Sequence, residues 1–105
     1  MRMNLNVSDD VINLMAEKFK MLAQPTRLVI VRSLIAGEKS VNSLVHETGR
    51  GQANLSKHLK VLADAGLVAR RKVGLQVFYR VGSPLIDQVC SLACDTVAGD
   101  SQETG

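Results

Sequence analysis

QANLSKHLKVLADAGLVARRK, residues 52–72, is the stretch whose reading decides the fold. Taken as a helix from Gln52, it sets Leu55, Leu59 and Leu62 at i, i+4 and i+7, one apolar stripe. Asn54, Ser56, Lys57 and Lys60 stand on the opposite side. Amides pair with adenine edges, while Lys and Ser reach guanine or phosphate, so a helix lying in a major groove would carry this set. A merely solvated helix face shows the same residue types, and this segment alone leaves both readings open. After Gly66 the period changes to two. Leu67, Ala69, Arg71 and Val73 alternate with Val68, Arg70 and Lys72, and beyond Gly74 the run Gln76–Val81 alternates again. Two such runs about a glycine predict a β-hairpin with basic residues near its tip, placed to rest on phosphates.

Charge favours the groove-facing reading. Residues 50–80 hold Arg50, Lys57, Lys60, Arg70, Arg71, Lys72 and Arg80 against one acid, Asp64, a formal +6. The rest of the chain has six basic residues against nine acids, a formal −3, so the total of +3 hides a strong asymmetry. Concentrated positive charge attracts polyanions and releases their counterions. With no Trp and only Phe19, Phe78 and Tyr79 as aromatics, little is available for stacking unpaired bases. Duplex DNA is therefore the expected polyanion. A chain of 105 residues suffices for one small domain, for which self-association is a natural supplement. It has neither a secretory leader nor an apolar run of membrane-spanning length, so a cytoplasmic protein with no membrane partner is expected. In that compartment Cys90 and Cys94 are expected to be reduced.

Outward from the central stretch, Ser8 is a suitable N-cap for a first helix, with Asp9 and Asp10 at its positive end. Val11, Met15 and Leu22, flanked by Ile12 and Phe19, make its apolar side, which must dock on this domain or on a second copy; core packing is the first expectation. Pro25 suits the first turn of a second helix, apolar from Leu28 to Ile35 except for Arg32 and Ser33, which should be the most buried element. Gly37 reads as its stop. Ser40 caps a short third helix with Val41, Leu44 and Val45 inward, and Gly49 closes it. With the turn at Arg50 and Gly51, this helix and the one from Gln52 form a helix-turn-helix. Ser83 and Pro84 start a last helix, with Leu85, Ile86, Val89, Leu92, Ala93 and Val97 in need of cover. The expected layout is a mainly α winged helix-turn-helix over residues 1–97, with 8–23 and 84–97 as dimerisation helices and 98–105 as a disordered tail.

The segments QPTRLVIVRSL, SVNSLVHETG and QANLSKHLKVLADAGLVARRKVGLQVFYRV resemble the ArsR/SmtB family of winged-helix transcriptional repressors over about residues 15 to 95. The resemblance implies a homodimer built on the first and last helices. It also implies binding to an imperfect palindrome upstream of its own operon, and release when a metal, an arsenical or another signal binds. It places DNA contacts on Gln52, Asn54, Ser56, Lys57 and His58. The angular position of His58, beside Leu55 and Leu62, instead favours a packing or supporting role for it. Arg50 and Gly51 stand where members often show Leu-Ser, which removes an N-cap hydroxyl at small cost and offers Arg50 as a phosphate contact or a solvated side chain. Arg70, Arg71 and Lys72 complete the expected DNA-binding set.

The sensory half of the resemblance is thinner. EKSVNSL has no cysteine where the family's arsenic and cadmium site has one, and neither His46 nor His58 lies on the last helix, where its zinc site sits. The first thiol of the family's redox pair is missing too. Cys90 and Cys94 remain, one helical turn apart, with Asp87 and Asp95 nearby. Thiols at i, i+4 share a face and can share a soft metal ion or trivalent arsenic, but they are poorly placed for a disulfide with each other. They read as small apolar groups in a helix contact, as a thiol-dependent metal or metalloid site, or as a redox or persulfide sensor. No nucleophile, base and acid cluster or phosphate loop suggests an enzyme. A constitutive DNA binder without inducer and a winged-helix protein-interaction module remain the alternatives to an inducible repressor.

Overall fold

A computed structural model of the chain describes residues 7–83, 86 and 96–99. Helix α1 (Asp9–Leu22) starts where Ser8 Oγ accepts from the Val11 N–H at 3.3 Å, with Asp9 and Asp10 in its first turn. Helix α2 (Pro25–Ile35) begins on Pro25. A two-residue strand, β1 (Lys39–Ser40), follows, too short to carry a period and absent from the sequence reading. Ser40 then caps α3 (Val41–Thr48), its Oγ accepting from the Ser43 N–H at 3.1 Å, and Gly49 ends that helix with a left-handed φ of 70°.

Helix α4 (Gln52–Asp64) starts after the turn at Arg50 and Gly51 and leads into strands β2 (Val68–Val73) and β3 (Gln76–Val81). The three strands form an antiparallel sheet in the order β1-β3-β2. Val73 pairs with Gln76, so Gly74 and Leu75 alone make the loop; Gly74 has φ 61°, the sign that a type II′ turn requires at this position. At the ribbon's root, Gly82 donates its N–H to the Leu67 carbonyl at 2.9 Å. A Cβ on Gly82 would come within 3.1 Å of the Gly66 oxygen, which explains a glycine there.

The core is built around α2, which packs on α1, α3, α4 and β3. Its Ile30, Val31 and Leu34 meet Leu44 of α3, Leu55, Leu59 and Leu62 of α4, and Leu67, Val68 and Tyr79 at the ribbon's root. The three α4 leucines are 0% exposed, so the stripe is buried as its spacing predicts, each side chain contributing ~1.5–3 kcal/mol by transfer from water. Leu28, expected to be buried with α2, is instead exposed.

Helix α1 departs further from the expectation of core packing. Only Leu22 is buried, while Val11, Ile12, Met15 and Phe19 lie open on the single chain together with Leu14, at 41–62% exposure. The reason is positional: α1 meets the domain mainly through its C-terminal turn, so its earlier apolar residues reach past the core. Of the expected last helix, Ile86 is helical and buried in the core cluster, and residues 96–99 are helical, two positions beyond the boundary expected at Val97. Asp87, Cys90 and Cys94 lie outside the described residues.

Candidate nucleic-acid interface

Burying Leu55, Leu59 and Leu62 on one side of α4 forces the intervening residues outward. Gln52, Asn54, Ser56, Lys57 and Lys60 are all exposed. Gly51 occupies the N-cap and supplies no capping side chain, and the first turn of α4 holds no acid. Its leading N–H groups therefore keep the positive end of the helix dipole open toward solvent or an anion. A polar cleft of about 160 Å³ adjoins this end, between the starts of α3 and α4 and the ribbon tip, with Ser40, Asn42, Gln52 and Gln76 on its walls. Leu75, at the ribbon tip, is 100% exposed and also lines the cleft.

The ribbon sorts its basic residues by face. Cross-strand pairing places Arg70 and Lys72 opposite Tyr79 and Val77, and Arg71 and Arg80 on the other side, opposite Phe78 and Ala69. On that second side Glu38, from the turn after α2, accepts two hydrogen bonds from Arg71, Nη2 at 2.6 Å and Nε at 3.1 Å. The Arg71 guanidinium also stands 5.4 Å from the centre of the Phe78 ring. The Arg71 hydrogen bonds hold the Glu38 carboxyl below the usual carboxylate range; burial opposes them, and the Arg71 and Arg80 charges add to the lowering. Arg71 is thus engaged within the chain.

Three other members of the expected set have partners as well. Lys60 Nζ lies 3.0 Å from the Asp64 carboxylate one turn along α4. Arg50 is half-buried and directs a long 3.5 Å hydrogen bond at the Thr48 carbonyl. His58 is half-buried, and its Nδ1 accepts from Arg27 Nε at 3.1 Å; Nδ1 therefore carries no proton there and faces α2. Partial burial, then the Arg27 and Lys57 charges, push the His58 pKa below the usual imidazole value. Lys57, Arg70, Lys72 and Arg80 form no ion pair among the described residues.

Arg27, Glu38 and Lys18 were not singled out from the sequence. Arg27 joins α2 to α4 across 31 positions, and Glu38 joins the turn after α2 to β2 across 33. Lys18 of α1 donates to the Ala65 carbonyl at the end of α4, at 2.6 Å, across 47. No local pattern marks such partners. Among the described residues no three His, Cys, Asp or Glu side chains gather as metal ligands, and no helix is long and apolar enough to cross a membrane.

Residues 24–70 match the model of the bacterial regulatory protein family arsR. The chain is 38% identical over 81 residues to the HTH-type transcriptional regulator KmtR of Mycobacterium tuberculosis, covering 77% of this chain and 62% of KmtR. It is 36% identical over 86 residues to the biofilm growth-associated repressor of Xylella fastidiosa, covering 78% of this chain and 75% of that protein. The crystal structure of the transcriptional repressor BigR from Xylella fastidiosa superimposes with a TM-score of 0.74 at 36% identity, covering 80% of this chain and 86% of that one. A homodimeric winged helix-turn-helix DNA-binding domain from Mycobacterium bovis, solved by NMR, gives a TM-score of 0.79 at 28% identity, covering 97% and 96%.

Proposed function

Since the chain belongs to the arsR family of bacterial regulatory proteins, we propose that it is a homodimeric transcriptional repressor acting in the cytoplasm on an imperfect palindrome in duplex DNA. The observation that carries this is the two-sidedness of α4: leucines at 0% exposure on one face, and Asn54, Ser56 and Lys57 open on the other. Asn54 and Gln52 would read base edges, Ser56 and Lys57 would meet bases or phosphates, and Arg70 and Lys72 would lie on the flanking backbone. Two copies are required, because one short helix contacts too few base pairs to select a site. Reading helices in successive major grooves must stand roughly 34–36 Å apart. The exposed apolar face of α1 is the surface available for pairing, and the homodimeric state of the Mycobacterium bovis domain supports that arrangement.

Release of the operator is proposed to run through Cys90 and Cys94, the only thiols in the chain. A soft metal ion, trivalent arsenic or a thiol-reactive species on this pair, with Asp87 as a further ligand, would change the angle between protomers and move the reading helices off register. Coupling of ~1–3 kcal/mol is sufficient for such a switch. The test is a mobility-shift titration of the upstream region with and without zinc, cadmium, arsenite and polysulfide. The parent chain should bind and be released by at least one of these; the Cys90→Ser, Cys94→Ser double variant should bind equally and stay bound. Release of the double variant removes the cysteines from the account, and absence of binding by the parent removes the operator.

A further inference from the structure

We propose that Arg27, which lies away from the exposed face of α4, is a positioning residue for DNA binding: by bonding Met21 of α1 and His58 of α4 at once, it fixes the reading helix relative to the first helix. This inference rests on α4 being the DNA-facing helix. Arg27 Nη1 donates to the Met21 carbonyl at 3.1 Å and stands 3.7 Å from the Met21 sulfur, while Nε donates to His58 Nδ1 at 3.1 Å. The Met21 carbonyl belongs to the last turn of α1, where carbonyls lack partners within their own helix. One planar guanidinium thus closes the end of one helix and grips the middle of another, a two-pronged role that its rigid fork suits and an ammonium cannot reproduce. Lys18 adds a second link from α1, to the Ala65 carbonyl at the end of α4. Two attachments on one helix oppose its rotation about its own axis, and such rotation would swing Asn54, Ser56 and Lys57 together.

The link has a chemical condition. Arg27 has only protons to offer, so His58 must present a bare Nδ1. Protonation there removes the acceptor and sets a second cation against Arg27 from α2 and Lys57 from α4. From α1 the link is met by the neutral Met21, and among the described residues neither Arg27 nor His58 forms an ion pair with an acid that would offset the added charge. Burial and both cations lower the His58 pKa, so the neutral form holds at neutral pH and is lost only on acidification below the usual imidazole value. His46, the chain's other histidine, is exposed on α3, away from this link.

The experiment measures affinity of the full chain for a duplex carrying its upstream region, at several salt concentrations and from about pH 7.5 down to 5.5, across the histidine range. Arg27→Met keeps the length and removes the fork; Arg27→Lys keeps the charge alone. His58→Asn can offer Arg27 an oxygen that does not titrate. Circular dichroism confirms folding of each variant. Both Arg27 variants should bind about fivefold or more weakly with the parent's salt slope, since no phosphate contact is lost. His58→Asn should show the same affinity at acid pH as at neutral pH, whatever that neutral value is, whereas the parent loses affinity on acidification. An Arg27→Met variant that binds like the parent, or whose salt slope is shallower by about two for a dimer, overturns the proposal, the latter by making Arg27 a phosphate contact. So does a His58→Asn variant that follows the parent's pH profile, because the loss then does not depend on the imidazole at position 58. If the parent itself does not bind, the reading of α4 fails, and the inference fails with it.

Discussion

Replacing Lys57 by Ala should flatten the salt dependence of DNA binding, and the structure fixes by how much. Seven basic residues lie in residues 50–80. Lys60 is paired with Asp64, Arg71 with Glu38, Arg50 is turned to the Thr48 carbonyl, and Arg80 lies on the ribbon face that Glu38 occupies. Lys57, Arg70 and Lys72 form no ion pair among the described residues and, on the proposed reading, are the ones left to meet phosphates. In a twofold complex they make about six contacts, which gives a slope of log affinity against log salt of about −5; all seven residues on both copies would give about −13. Removing Lys57 deletes two contacts, so its slope should be shallower by about 2, and affinity should fall alike for specific and unrelated sequences. Arg71→Ala should leave the slope unchanged. The assay is fluorescence anisotropy of a labelled duplex between about 50 and 200 mM salt. A parent slope near −13 would mean that the internal pairs open on DNA. An unchanged slope for Lys57→Ala would mean that α4 does not face the backbone as argued.

Three further outcomes follow from burial and pairing. Phe19 is 50% exposed on one chain, so covering it in a twofold dimer gains about half of a full burial twice over, ~1.5–3 kcal/mol; Phe19→Ser should weaken dimerisation roughly 10- to 150-fold in sedimentation equilibrium with the monomer fold intact, and an undisturbed dimer would place the contact elsewhere. Leu59→Ala in the closed core should cost ~2–5 kcal/mol and lower Tm by about 10 °C or more; a near-neutral melt would contradict the burial of the α4 stripe. Glu38, whose pKa is lowered chiefly by the Arg71 hydrogen bonds, stabilises the fold above its ordinary value of 4.5, and that contribution is lost as pH falls through and below that value. Glu38→Gln should therefore be less stable than the parent at neutral pH and converge with it in acid, as thermal melts across pH 7 to 3 would show; a constant difference would deny the ion pair any role.

The two-residue and 3.6-residue periods were legible because each is imposed by one face of a local element. Leu55, Leu59 and Leu62 declared a helix and its inner face together, and the glycines at 49 and 74 declared its surroundings. The duties of the charged residues were not legible. Arg27 with His58, Arg71 with Glu38 and Lys18 with Ala65 are separated by 31 to 47 positions, so each pairing exists only after the chain has folded. Seven basic residues that look interchangeable along residues 50–80 are divided by the fold into those that hold the ribbon or helix and those left facing outward. Helix α1 has the converse ambiguity. Its apolar spacing announces burial without naming the covering surface, and only the packing of a single chain shows that Leu22 is covered from within while Val11, Met15 and Phe19 are not. Under the proposed pairing, self-association would cover those three and double the cations offered to a duplex, so one substitution that separates the copies should weaken DNA binding without touching a residue on α4.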